Sequence, residues 1–196
     1  MYFNHATAGA IAIKPVIDKC KDKFTDKENT VLWFVGVTSA VLPDFDIAYS
    51  VLRGLEDHRS FVTHGIILYF IAFLLLYSLS YFQKKREFGK KFFKIMSLVF
   101  LIGVLTHFFI DFFFGGIALF APFTYKIYGF DMKIENGYDN RLFEYLISRY
   151  MLVEIFITLF FFYIFRGREN FIPKFFALSY FLIATTSFVL VSLSFF

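Results

Sequence analysis

Cysteine is almost absent from the sequence. Cys20 is the only one among 196 residues, so the chain can form neither an intramolecular disulfide nor a cysteine-based zinc site. Histidine is also scarce, and the four histidines are His5, His58, His64 and His107. A metal site in this protein would therefore be built from imidazole and carboxylate groups.

Charge is missing from long stretches of the chain. The composition is 58% hydrophobic with 33 phenylalanines, and the mean hydropathy is +0.63. An apolar run of about 18 residues or more is typical of a membrane span. Four stretches approach this pattern, and two shorter apolar runs precede them. The four are residues 61–82, 95–125, 150–165 and 175–196, and the shorter runs are residues 1–13 and 29–43.

These runs predict an all-α fold, a polytopic membrane helix bundle that forms a single domain over residues 1–196. We expect about four full spans plus a short N-terminal helical hairpin, since neither of the two shorter runs can cross a bilayer upright. Gly115 and Gly116 should end the fourth helix, leaving residues 117–147 as a loop. The helices are expected at about residues 3–18, 29–42, 60–82, 92–114, 146–165 and 171–195.

Lysine and arginine are concentrated in alternate connections between these helices. Fourteen of the 20 fall within residues 14–28, 83–94 and 166–174. The positive-inside rule places these connections in the cytoplasm, so the loop at residues 117–147 is expected outside. We therefore predict a multi-pass inner-membrane protein whose basic residues set its orientation and contact lipid headgroups. They give no reason to expect a nucleic-acid partner.

One histidine and one aspartate fall inside an otherwise uncharged run. His107 and Asp111 are four residues apart, which places them on one face of a helix. Burying a carboxylate in apolar surroundings costs several kcal/mol unless it is paired or binds a metal. The alternative to a metal is a buried histidine–aspartate hydrogen bond.

Two more aspartates follow Pro43. In an extended segment the side chains of Asp44 and Asp46 would point the same way. Their charges would repel each other, and a bound cation would relieve the repulsion. The alternative is a solvated turn, because Pro-Asp is frequent in turns.

The predicted topology brings all these histidines and aspartates to the outer membrane face. Separate interfacial side chains are a poor explanation for four histidines and three aspartates at one face. A nitrogen and oxygen ligand set with positions open to water fits a divalent metal, zinc by preference and manganese as the alternative.

The order of these motifs resembles the YdjM-type membrane-bound metal-dependent hydrolases, which are multi-span inner-membrane proteins, some of them under LexA control. The resemblance covers roughly residues 1–125, and the rest matches only as membrane helices. Gly65 departs from the pattern, where the family often has serine. The matching motifs are His5, Leu42-Pro43-Asp44-Phe45-Asp46, the segment from His58 to His64, His107-x-x-x-Asp111 and Pro122-Phe123.

A more distant likeness is to zinc-dependent phospholipase C. It implies the metal ligands His5, Asp44, His58, His107 and Asp111, with Asp111 bridging two ions. No histidine follows His107, so we expect one or two ions and not a three-metal site.

These resemblances imply a metal-dependent phosphoester hydrolase at the outer membrane face. Its substrate would be a phospholipid, a lipid-linked phosphate or another small phosphoester. Asp44, His58, His107 and Asp111 would hold the first ion, and His5 with Asp111 the second.

Further residues receive predicted roles in this hydrolase. Asp46 or His64 would be the general acid or base, or would hold a metal ligand in place. Arg53, Arg59 and Arg149 would bind a phosphate, although surface or interfacial positions explain each of them equally well. Glu154 would complete the metal site or pair with an arginine, since an acid within a span is a functional candidate.

Two other classes of protein are compatible with the same residues. One is a non-enzymatic membrane protein with a structural metal. The other is a transporter or channel, although the histidines cluster at one face and internal symmetry is not apparent. The sequence does not predict the oligomeric state.

Overall fold

Six α-helices make up most of the described chain. The computed structural model describes residues 3–47, 49, 61–83, 87–130, 147–167 and 171–194. Within these ranges no strand is present, although an isolated antiparallel bridge joins Ile117 to Tyr128. The prediction of an all-α fold is confirmed. The helices are α1 (His5–Cys20), α2 (Asp26–Ser39), α3 (Ile66–Phe82), α4 (Glu87–Phe113), α5 (Arg149–Ile164) and α6 (Phe171–Ser194).

The first two helices form the expected hairpin, joined by a short 3₁₀ helix, Lys21–Lys23. Helix α2 begins three residues earlier than predicted because Thr25 and Glu28 form a capping box. The Glu28 carboxylate accepts the Thr25 backbone N–H at 2.9 Å, and the Thr25 hydroxyl accepts the Glu28 N–H at 3.4 Å. Such a reciprocal cap satisfies two backbone donors that a helix start would otherwise leave open.

The segment around Pro43 is not extended, so this part of the prediction is wrong. Helix α2 ends at Ser39, and residues Leu42–Phe45 form a 3₁₀ helix with the proline in its first turn. The fixed φ angle of proline suits the first turn of a helix, where its missing N–H costs nothing. Asp44 and Asp46 consequently contact opposite nitrogens of one imidazole ring, that of His64.

Helix α4 lies at the centre of the packing and contacts α1, α2 and α3. Two close approaches between backbones determine how the end of α2 meets its neighbours. A methyl group added at Gly103 would overlap the Ser39 hydroxyl and the Gly36 carbonyl oxygen, and one at Gly9 would overlap the Ala40 side chain. Small residues allow such close contacts between membrane helices. They place residue 40 beside the C-terminal half of α4.

Within the described residues, one helix is long and apolar enough to cross a membrane, the stretch Gly89–Phe113 within α4. Three apolar stretches are shorter: Ile66–Phe82, Tyr150–Ile164 and Phe171–Thr186. At about 1.5 Å per residue, a helix of 17 residues reaches about 26 Å, against a hydrocarbon core of about 30 Å. Four full spans therefore stay a prediction.

Candidate metal centre

Four side chains from three segments meet at one end of the bundle. Asp44 comes from the 3₁₀ helix after α2, His64 from the 3₁₀ helix Val62–His64 before α3, and His107 and Asp111 from α4. One possible ligand atom from each lies within 4.8 Å of the others. His64, His107 and Asp111 are fully buried, whereas the Asp44 side chain is 19% exposed. These four residues form a candidate metal-binding cluster.

The orientation of His107 is fixed by the backbone of α2. Its Nδ1 donates to the carbonyl oxygen of Ala40 at 2.9 Å, which can only accept, so the proton of a neutral ring must sit on Nδ1. The Nε2 atom then carries the lone pair, and it has no hydrogen-bond partner among the described residues. It faces Asp111 Oδ2 at 3.4 Å and Asp44 Oδ1 at 3.7 Å. Three electron-rich atoms that face one another suit a bound metal cation.

His64 is held in a similar way by a carboxylate. Its Nδ1 lies 3.2 Å from Asp46 Oδ2, and the same oxygen accepts a hydrogen bond from the Thr63 hydroxyl. Its Nε2 lies 3.5 Å from Asp44 Oδ1 and 3.7 Å from Asp111 Oδ2. Metal-binding histidines commonly donate a hydrogen bond from the N–H of their second ring nitrogen to a carboxylate in this manner.

The charges around His64 also favour a cation. Burial lowers the pKa of His64, but the hydrogen bonds with Asp44 and Asp46 and the negative charges of Asp44 and Asp111 outweigh burial and raise it to about 9. The carboxylates that raise this pKa would also attract a metal ion, and a metal ion competes with the proton for the imidazole nitrogen.

The turn that carries His64 is positioned by the loop after α4. The backbone N–H of Ile66 donates to the Leu119 carbonyl oxygen at 3.0 Å. A Cβ atom at Gly65 would overlap the Ala121 carbonyl oxygen, so glycine permits this close contact. The loop itself reverses at Gly115 and Gly116, whose φ angles of 150° and 74° are in the left-handed region that favours glycine.

His5 lies on the other side of the two carboxylates. Its Nε2 is 3.4 Å from Asp111 Oδ1 and 3.7 Å from Asp44 Oδ2, and its ring stacks on that of His107 with centroids 4.1 Å apart. Each carboxylate thus directs one oxygen towards His5 and the other towards His64 and His107. That division is the arrangement expected of carboxylates that bridge two ions.

The structure brings six of the predicted site residues into one neighbourhood. The Nε2 atom of His64 faces Asp44 and Asp111, and Asp46 contacts the other ring nitrogen, Nδ1. His58, Arg53 and Arg59 lie outside the described residues, and of Arg149 only the backbone is described, at the start of α5. Their predicted roles stay predictions. The six are His5, Asp44, Asp46, His64, His107 and Asp111.

Sequence reasoning missed the groups that hold the ligands in place. The Ala40 carbonyl has no sequence signal, because any residue would supply it. Thr63 directly precedes His64, and this adjacency to a candidate ligand was a usable signal. Asn4, which binds Glu154, is adjacent to His5 but gave no signal of its own.

A buried histidine–aspartate cluster within an apolar helical bundle defines a membrane protein with a candidate metal site. The chain belongs to the YdjM inner membrane protein family, whose model matches residues 1–192. The match extends over the C-terminal helices, beyond the motifs that carried the sequence resemblance. No curated protein and no solved structure matches the chain, so the likeness to zinc-dependent phospholipase C stays a prediction.

Proposed function

We propose that this protein is a membrane-bound, metal-dependent hydrolase of a phosphoester, with a phospholipid or a lipid-linked phosphate as substrate. The observation that carries the proposal is His107 Nε2, which faces the buried Asp111 carboxylate and the partly exposed Asp44 carboxylate while its Nδ1 is bonded to Ala40. Placing two carboxylates beside a histidine in an apolar bundle costs free energy unless a cation neutralises their charge. Its position at the end of α4 suits a substrate that is anchored in the membrane.

The first ion would be held by Asp44, His64, His107 and Asp111. Two imidazoles and two carboxylates suit zinc, and manganese is the alternative. A bound ion of this kind activates water and polarises a phosphoryl oxygen. His58, the predicted ligand of this ion, lies outside the described residues, and His64 has the geometry of a ligand instead of a free acid or base.

The second ion would be held by His5. The two oxygens of Asp44 and of Asp111 are divided between His5 and the His64–His107 pair. Carboxylates that bridge in this way allow two cations to sit close together, since their negative charge offsets the repulsion. One ion would leave His5 as a buried partner of the carboxylates.

Asp46 has two candidate roles in this hydrolase. It orients His64 through Oδ2, while its Oδ1 has no hydrogen-bond partner among the described residues. It would therefore hold a ligand in place and could also accept a proton. Arg53, Arg59 and Arg149 are proposed as phosphate-binding residues because they are on the same predicted side.

The approach to the site favours an amphiphilic substrate. Asp44 is the partly exposed member of the cluster, and exposed apolar side chains lie in its own segment and on the contacting 3₁₀ helix Val62–His64. Phe45 is 55% exposed, Tyr49 53% and Val62 40%. Exposed apolar side chains beside a polar site suit a molecule with a phosphate headgroup and an acyl or prenyl tail.

A structural metal site is the second candidate function. Four ligands, three of them fully buried, also match the closed four-coordinate sites that stabilise folds. The two functions predict different effects of metal removal. Removal of a structural metal would unfold the protein. Removal of a catalytic metal would abolish turnover while much of the fold is retained.

The proposal is tested with protein purified in detergent. Phospholipids, lipid-linked pyrophosphates and nucleotides are incubated with added zinc or manganese, and release of phosphate or phosphomonoester is measured. We expect turnover that is lost on chelation, is restored by metal and is absent in His107→Ala. If chelation unfolds the protein and no substrate class shows metal-dependent release, the result would contradict the hydrolase and support the structural metal site.

A further inference from the structure

A second buried carboxylate lies on the α5 side of α1. Glu154 is 1% exposed in a stretch, residues 150–165, that has no other charged residue. Its Oε2 accepts a hydrogen bond from Asn4 Nδ2 at 2.7 Å, and its Oε1 accepts one from the Phe3 backbone N–H at 3.3 Å. Both donors lie immediately before His5. Glu154 is not among the described side chains that share one candidate ion position.

The side chain of Asn4 is fixed from every direction. Its Nδ2 also donates to the Glu154 carbonyl oxygen at 2.8 Å. Its Oδ1 accepts from the Thr7 hydroxyl at 2.6 Å and from the Thr158 hydroxyl at 3.0 Å. Asn4 is fully buried, so every one of these polar atoms depends on its partner.

Asn4 occupies the N-cap position of α1 but does not cap the helix with its side chain. An asparagine cap usually stabilises a helix by about 1 kcal/mol. Here the amide is directed at Glu154, so the stabilisation from capping is given up for a contact with another helix. Together with a buried carboxylate, which is itself costly, this indicates a role beyond helix formation.

We propose that Glu154 and Asn4 are positioning residues that hold His5 against Asp44 and Asp111. The inference rests on the metal centre under Proposed function, in which His5 is a ligand. The Phe3 backbone and the Asn4 side chain are bonded to α5, and the His5 ring follows directly at the first position of α1. Its Nε2 stands 3.4 Å from Asp111 Oδ1, a distance that a shift of the helix start would change at once.

Zinc affinity in a double-mutant cycle tests this role. Apoprotein in detergent is titrated with Zn²⁺ against a competing chelator, for the wild type, Glu154→Gln, His5→Ala and the double variant. Glutamine keeps the shape of Glu154, but its N–H₂ group replaces one of the two acceptor oxygens and faces a donor, so one of the two hydrogen bonds is lost. We expect Glu154→Gln to weaken zinc binding about 10-fold, the usual scale for residues that orient a ligand.

The cycle separates positioning from general structure. If Glu154 acts through His5, Glu154→Gln should change zinc affinity less than about twofold once His5 is alanine, since coupled residues are not additive. Thr158→Val is the matched control on α5, because it removes one of the two hydroxyl donors to Asn4 and leaves Glu154 in place. It should weaken zinc binding less than Glu154→Gln does.

Equal losses in both backgrounds, or no loss in either, would overturn the positioning role while leaving the metal centre intact. Wild-type protein that binds no zinc would overturn the metal centre and this inference with it. The outcome does not depend on finding a substrate. If Glu154→Gln does not accumulate, Glu154→Asp, which keeps the charge and shortens the side chain, goes through the same cycle with the same criteria.

Discussion

His107 donates its Nδ1 proton to the carbonyl oxygen of Ala40, 2.9 Å away. This hydrogen bond joins the C-terminal half of α4 to the end of α2 and turns Nε2 towards Asp44 and Asp111. A carbonyl oxygen beyond the last turn of a helix needs a partner when it is buried, and the histidine supplies it. The geometry of the candidate metal centre therefore depends on how closely α2 and α4 pack.

Gly103→Ala should disturb the metal centre from a distance. A methyl group there would overlap Ser39 and the Gly36 carbonyl oxygen, so α2 must move away from α4 and Ala40 from His107. We expect a loss of about 1–3 kcal/mol in stability, the usual cost of overpacking, together with weaker zinc binding. Thermal unfolding in detergent and a zinc titration measure the two effects.

Gly89→Ala is the matched control for this substitution. It lies on the same helix, where a Cβ would meet only the Gln83 side chain, at 3.3 Å or more. Alanine is the better helix former, so this variant should be as stable as the wild type or more so, with unchanged zinc binding. Equal behaviour of the two variants would show that the close approach at Gly103 does not determine the site.

The hydrophobic pattern was sufficient to predict the helices but not their exact ends. Apolar runs mark each helix, so all six described helices overlap the predicted segments, although α3 begins six residues later than predicted. The start of α2 was missed because the capping box at Thr25 and Glu28 lies in a polar segment that hydropathy does not mark. The sequence left an extended segment and a turn open after Pro43 because Pro-Asp suits both backbones, and the structure has a 3₁₀ turn there.

Asp111→Asn should lower the metal content of the purified protein to half or less. The amide is similar in shape but lacks the charge that both His5 and the His64–His107 pair face, and neutral oxygen is a weaker ligand for zinc. Elemental analysis measures the content per chain. Asp18→Asn is the control, since Asp18 pairs with Lys14 at 2.6 Å on an exposed part of α1. Unchanged metal content in Asp111→Asn would exclude Asp111 as a ligand.

Asp46→Asn and His64→Ala should differ in how much metal they lose. Asparagine can still accept one hydrogen bond, so His64 stays near its position and zinc affinity should fall by about 10-fold to 100-fold. Alanine at 64 removes a ligand atom, and the fall should be larger. Competition with a chelator of known affinity ranks the two variants.

The reverse order would return His64 to the acid or base role predicted from the sequence. Thr63→Val is a useful companion, because it removes the second donor to Asp46 Oδ2 and leaves both ionisable groups. Its zinc affinity should lie between those of the wild type and Asp46→Asn.

The sequence predicted several of the residues that meet at the candidate site, but it did not predict what each of them does there. His107 and Asp111 are four residues apart on one helix, so their proximity follows from local geometry. His64 joins them through a turn held by Leu119 and Ala121, contacts that link distant parts of the sequence. Glu154 meets Asn4 across 150 residues, and no local pattern indicates such a pair.

The face of the membrane that carries the site is testable with two single cysteines. The site lies where α4 ends, and the 3₁₀ helix Lys21–Lys23 lies at the other end of α1, about 24 Å away for a helix of 16 residues. In a Cys20→Ala background, Lys126→Cys should react with a membrane-impermeant maleimide in intact cells, since the positive-inside rule places its loop outside. Lys23→Cys should react only after lysis, because its segment is rich in lysine.

The Lys126 and Lys23 side chains are both exposed, so the labelling depends on which side of the membrane each lies and not on burial. The opposite pattern would place the metal centre at the cytoplasmic face and direct the substrate search to phosphoesters of the cell interior.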